Sequence, residues 1–107
     1  WTTWCPYCLR QTPILVAAAG QYTDGIRFVG VDVGEDAATV TPYVDQHAIP
    51  YTILLDQNSQ AAAAYGVEGF PTTYFLDASG HVVARQIGSL SAEQLEQYIQ
   101  QLLACRC

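Results

Sequence analysis

Trp1-Thr2-Thr3-Trp4-Cys5-Pro6-Tyr7-Cys8 is the stretch whose reading decides the fold. The spacing of Cys5 and Cys8 lets two thiols close a small ring where a helix begins beside them. The same C-x-x-C spacing also makes half of a zinc site, so the flanking residues have to arbitrate. Pro6 fits the first helical turn, where a missing backbone N–H costs no hydrogen bond, and the helix is therefore predicted to start at Cys5. A sulfur at that end meets unpaired N–H groups and the positive pole of the helix dipole. Both favour the thiolate, which lowers the thiol pKa and makes Cys5 the expected nucleophile. Cys8, one turn further in, is the expected resolving thiol.

Outward from this motif, the pattern reads as a helix to about Gly20, with Ile14, Leu15 and Ala18 on one face and Pro13 expected to kink it. Ile26 to Val33 is β-rich and almost wholly apolar, and reads as a central strand buried on both faces. Asp36 to His47 is helical with an open start, because Thr41-Pro42 also fits an N-cap and first-turn proline. Thr52 to Leu55 is a short strand, and Ser59 is expected to cap a brief alanine-rich helix ending at Gly66. Gly69-Phe70-Pro71-Thr72-Thr73 leads into a strand at Tyr74–Leu76. Asp77-Ala78-Ser79-Gly80 then turns the chain into an antiparallel partner, His81 to Ile87. Ser91 with Gln94 makes a capping box, and Leu95, Ile99, Leu102 and Leu103 form the buried stripe of a last helix. Alternating strands and helices predict an α/β domain with a central mixed sheet flanked by helices.

Composition limits what such a domain can do. The 107 residues suffice for one domain with a real core, and half of them are hydrophobic. Ten acidic residues against four arginines give a net charge of −6, which argues against nucleic acid as a partner. No apolar run is long enough to span a membrane. The sequence starts at Trp1 and contains no methionine, so a preceding strand feeding the Cys5 helix is expected to lie outside residues 1–107.

The order of helix with C-x-x-C, strand, helix, strand, helix, hairpin and helix, with Phe70-Pro71 just before the hairpin, resembles the thioredoxin fold. Trp4-Cys5-Pro6-Tyr7-Cys8, the extra strand and helix between Val33 and Gly66, and Tyr65-Gly66-Val67 through Asp77-Ala78-Ser79-Gly80 are similar to the TlpA-like branch. That branch comprises bacterial thiol-disulfide oxidoreductases kept outside the cytoplasm, periplasmic or membrane-anchored, several serving cytochrome c maturation. The resemblance implies a cis bond before Pro71 and a loop lying against the dithiol. It further implies that the Phe70 backbone pairs with an extended substrate segment, with Trp4, Tyr7, Phe70, Pro71 and Thr72 forming the substrate-binding rim. The implied partners are a disulfide-containing protein and a membrane or soluble thiol electron donor, and no cofactor or metal is called for. Cys5 and Cys8 would be the catalytic pair, working through a mixed disulfide as a reductase. Run backwards, the same steps make a disulfide-donating oxidant.

TlpA-like proteins commonly carry a glutamate where this chain has Gln11. An amide is neither acid nor base and adds no negative charge beside the thiols, so Gln11 and Pro6 are expected to tune Cys5 towards a more acidic thiol. Cys-Pro-Tyr-Cys is also the glutaredoxin motif, although glutaredoxins lack the central insertion. A third alternative is a non-catalytic domain that binds partners or a metal through Cys5 and Cys8. Cys105 and Cys107 read as a local disulfide, an intermolecular link or free thiols on a frayed end. Thr2 gives the T-x-x-C spacing of peroxiredoxins, which the second cysteine argues against. His47 and His81 read as surface residues, Trp1 as core, and Glu35 and Asp36 as solvated acids at a helix start.

Overall fold

The computed structural model describes residues 1–104, so the readings of Cys105 and Cys107 lie outside the described residues. Helix α1 runs over Pro6–Gln21, followed by strand β1 (Val29–Val33), helix α2 (Ala37–Gln46), strand β2 (Thr52–Asp56) and helix α3 (Gln60–Ala64). Strands β3 (Thr72–Leu76) and β4 (Val82–Ile87) and helix α4 (Ala92–Ala104) complete the fold. Pro13 removes one N–H donor from α1 without breaking it, so the predicted kink does not divide the helix into two segments. The open boundary before α2 resolves to Ala37, where the Asp36 carboxylate accepts the Thr39 N–H, and Pro42 falls inside the helix.

Strand directions are mixed, as expected, but the strands form two separate pairs. β1 and β2 run parallel with Val29 opposite Thr52, whereas β3 and β4 form the antiparallel hairpin. On the other edge of β1 the Trp1 nitrogen donates to the Val31 carbonyl and the Val33 N–H donates to the Trp1 carbonyl. These two bonds seat Trp1 alongside β1 in a parallel pattern. With only this much cover, β1 is not buried on both faces: Val29 is exposed, and its one fully buried residue is Asp32.

The core lies between α1, the hairpin and α4, with Phe75, Leu90, Leu95 and Ile99 at its centre. Ile14, Leu15 and Ala18 of α1 pack against it, on the face their spacing predicts. The capping box holds, since Gln94 N–H donates to Ser91 Oγ and Ser91 N–H to Gln94 Oε1. Leu103 is exposed instead of joining the stripe, because Leu95, Ile99 and Leu102 already fill the inward face. At α3 the expected cap also fails. Ser59 has φ +60° and makes no capping bond, and Asp56 at the end of β2 accepts the Ala61 and Ala62 N–H groups instead. Those bonds hold the Asp56 carboxyl below its ordinary pKa.

Candidate active site

Cys5 is the N-cap of α1 and Pro6 its first residue, so the dithiol sits where the sequence places it. The two cysteines are at disulfide distance with Cα atoms 5.2 Å apart. Cys5 Sγ accepts the Cys8 N–H at 3.1 Å, which puts that sulfur on the unpaired donors of the helix start. Both cysteines are buried to the same degree. Burial therefore does not distinguish them, whereas the hydrogen bond at the helix start does.

The aromatic rim divides between solvent and loop. Trp4 is 67% exposed and Tyr7 56%, both immediately beside the buried sulfurs. The Trp4 ring meets Phe70 edge to face at 6.1 Å, which brings the Gly69–Thr72 loop against the residue preceding Cys5. The Phe70-Pro71 bond is cis. The Pro71 carbonyl accepts the Gly88 N–H, and the Thr72 hydroxyl donates to the Gly69 carbonyl, so these groups hold the loop together. Among the described residues, no backbone partner meets the Phe70 N–H or C=O.

Three further residues shape the site: Arg10 and Thr12, not singled out from sequence, and Glu35, which reads there as a solvated acid. The Arg10 guanidinium lies 5.1 Å over the Tyr7 ring, an i, i+3 pairing that helical spacing alone would have suggested. Thr12, buried, donates its hydroxyl to the Cys8 carbonyl and also bonds the Tyr43 hydroxyl at 2.8 Å, tying α1 to α2. Glu35 is not a solvated acid: its two carboxylate oxygens receive the Thr3 N–H at 2.8 Å and the Thr3 hydroxyl at 2.6 Å. Asp36, by contrast, is exposed and caps α2. His47 is partly buried, its ring stacked on Tyr43 at 4.0 Å, and His81 is exposed beside Asp77.

Gln11 is buried, and its Oε1 accepts the Leu90 N–H at 2.8 Å, joining the active-site helix to the segment before α4. A glutamate here would keep that acceptor and add a buried negative charge one turn past Cys8. The Gln11→Glu variant should therefore shift the pH midpoint of Cys5 alkylation upward by about one unit, through repulsion of the thiolate. Rates of iodoacetamide reaction with the reduced proteins, measured across pH, read this directly; coincident profiles would remove Gln11 as a tuning residue.

A paired C-x-x-C at the head of a helix, faced by a cis-proline loop in an α/β frame, defines a thioredoxin-fold domain of the dithiol kind. The chain belongs to the Redoxin family, whose pattern matches residues 1–102. It is 29% identical over 103 residues to the thiol-disulfide oxidoreductase ResA of Bacillus thuringiensis, covering 95% of this chain and 60% of that protein. The chain thus spans about three fifths of the length of that relative. Among solved structures it is similar to a putative thiol:disulfide interchange protein DsbE from Chlorobium tepidum, with TM-score 0.89 and 27% identity over 97% of this chain and 76% of that one. It is also similar to a secreted disulfide oxidoreductase of Mycobacterium tuberculosis, with TM-score 0.82 and 27% identity, covering 95% and 77%. These likenesses bear out the resemblance to TlpA-like thioredoxin-fold oxidoreductases drawn from the sequence.

Proposed function

We infer that this chain is a protein thiol-disulfide oxidoreductase that reduces disulfides of partner proteins through Cys5 and Cys8. The observation that carries the reading is the Cys5 sulfur held on the Cys8 N–H at the start of α1, with Cys8 within bonding reach. In the reduced protein that position favours the Cys5 thiolate. The thiolate attacks one sulfur of the substrate disulfide, forming a mixed disulfide and releasing the first substrate thiolate. Cys8, as thiolate, then attacks Cys5 Sγ and releases the second. The substrate gains two electrons and two protons, and the protein is left with a Cys5–Cys8 disulfide that an external dithiol donor must reduce.

Trp4, Tyr7, Phe70, Pro71 and Thr72 form the docking rim in this reading. The unpartnered Phe70 backbone offers one donor and one acceptor to an extended substrate strand, while the exposed Trp4 and Tyr7 rings cover its apolar side chains. An extracytoplasmic setting, where disulfides persist, supplies such substrates. Proteins of cytochrome c maturation, implied by the family resemblance, are one class of them. The secreted Mycobacterium tuberculosis relative supports that setting.

Turbidimetric reduction of insulin by dithiothreitol tests the activity, with acceleration expected from the wild type and none from Cys5→Ser. Equal inactivity of both would favour a non-catalytic binding domain. Direction is read from the reduction potential of Cys5–Cys8 with Cys105 and Cys107 changed to serine. A value near thioredoxin's, about −270 mV, is expected for a reductase. A value near about −120 mV would make the protein a disulfide donor.

A further inference from the structure

The segment that delivers Cys5 to α1 is held from one side by Glu35, and behind Glu35 stands a second carboxyl group. Asp32 projects from β1 with no solvent exposure, and neither of its oxygens meets a hydrogen-bond donor in the protein. A buried carboxylate without donors is strongly disfavoured. Its neighbour is the Glu35 carboxyl group, close enough for a side-chain hydrogen bond. A fully buried carboxyl group against a partly buried one favours a single proton between them, and the donors decide which one holds it. Glu35 receives both the N–H and the hydroxyl of Thr3, so Glu35 carries the charge. Asp32 receives nothing, so Asp32 carries the proton.

We propose that Asp32 is a positioning residue for the dithiol: its proton bridges to Glu35, which thereby grips Thr3 and fixes the Trp1–Cys5 segment at the head of α1. Burial first, then the Glu35 hydrogen bond and charge, push the Asp32 carboxyl up to about 7. For Glu35, burial would raise the pKa, but the bonds from Asp32 and Thr3 outweigh it and hold the carboxyl below its ordinary value. Beside Asp32 the Trp1 N–H donates to the Val31 carbonyl. From β2 the residue opposite Asp32 is Leu55, and from α2 Tyr43 packs on Trp1. Thr2, fully buried with an unpartnered hydroxyl, belongs to the gripped segment. Above about pH 7 Asp32 loses its proton, and its charge on the buried side of Glu35 repels the carboxylate that holds Thr3, weakening the grip.

The inference rests on the dithiol reading only for its reactivity measurement. Asp32→Asn retains a donor towards Glu35 and cannot titrate. In the full chain, alkylation of Cys5 between pH 5 and 9 should show, besides the thiolate step, a second inflection near pH 7 in the wild type. Asp32→Asn should lack it, matching the wild-type rate within about twofold at pH 6 and departing severalfold at pH 8. Coincident profiles would overturn the proposal.

A second readout uses the oxidised protein and needs no activity. Because folding raises the Asp32 pKa, the proton it retains favours the native state at low pH, and that advantage fades as pH rises from about 4 to about 7. The urea midpoint should fall between pH 5 and pH 8 in the wild type and stay level in Asp32→Asn. A parallel fall in both would count against Asp32. Should the variant not fold, the carboxyl 13C resonance of Asp32 in the wild type decides the matter: titration near pH 7 supports the proposal, and titration below pH 5 sinks it.

Discussion

Cys5→Ser should reduce insulin-disulfide turnover to the uncatalysed rate, while Cys8→Ser should complete one attack and stop. The reason is the asymmetry of the helix start. Cys5 Sγ alone is seated on an N-terminal backbone donor, so removing it removes the thiolate that opens the substrate disulfide. Removing Cys8 leaves that attack intact but takes away the group that resolves it. The Cys8→Ser protein should therefore accumulate as a covalent complex with its substrate, one per chain, sensitive to dithiothreitol. Non-reducing electrophoresis of the two variants after exposure to a disulfide-bonded protein distinguishes them. Complex formation by Cys5→Ser and not by Cys8→Ser would reverse the roles assigned here.

Ile99→Ala should be the most damaging change outside the site. Ile99 is 2% exposed and sits in the cluster with Phe75, Leu90 and Leu95, against which α1 packs through Ile14, Leu15 and Ala18. Truncating such a side chain removes its transfer free energy and leaves a cavity, together costing about 2–5 kcal/mol. Domains of this size are stable by about 5–15 kcal/mol, so the loss is a large share of the whole. With a urea slope of about 2 kcal/mol/M, the midpoint should fall by about 1–2.5 M. Ile99→Val, which removes one methyl group, should cost about 1 kcal/mol. A fall of less than about 0.3 M for the alanine variant would mean that α4 contributes little to the core.

The two effects are physically linked. The Leu90 N–H that Gln11 accepts belongs to a core residue, so the helix carrying the dithiol is tied to the hydrophobic cluster by one buried hydrogen bond as well as by packing. Loosening the core is therefore expected to blunt Cys5 reactivity only where it disturbs that tie. Comparing alkylation rates of folded Ile99→Val and wild type under identical conditions separates stability from site geometry; equal rates are expected.

Much of this protein was legible in its residues. Pro6 beside Cys5 announced a helix start, Ser91 with Gln94 announced another, and Asp77-Ala78-Ser79-Gly80 marked the hairpin turn. Each rests on dihedral preference or hydrogen bonding within three or four residues, which a linear reading contains. The apolar face of α1 was readable for the same reason, since helical period alone puts Ile14, Leu15 and Ala18 together.

What the sequence could not determine depends on partners far along the chain. Glu35 looks like any acid before a helix until Thr3, 32 positions away, is brought to it. Gln11 meets Leu90 across 79 positions, and Asp56 takes the capping role from Ser59 because β2 ends beside the first turn of α3. Asp32 lies in a run that reads as continuous strand, and nothing local indicates that it is its most buried member. Local preferences are set by neighbours in the chain, whereas burial and the pKa shifts it causes are set by whatever packing places alongside. The dithiol and its helix were thus determined by the sequence itself, and the carboxyl pair that grips its approach was decided only in three dimensions.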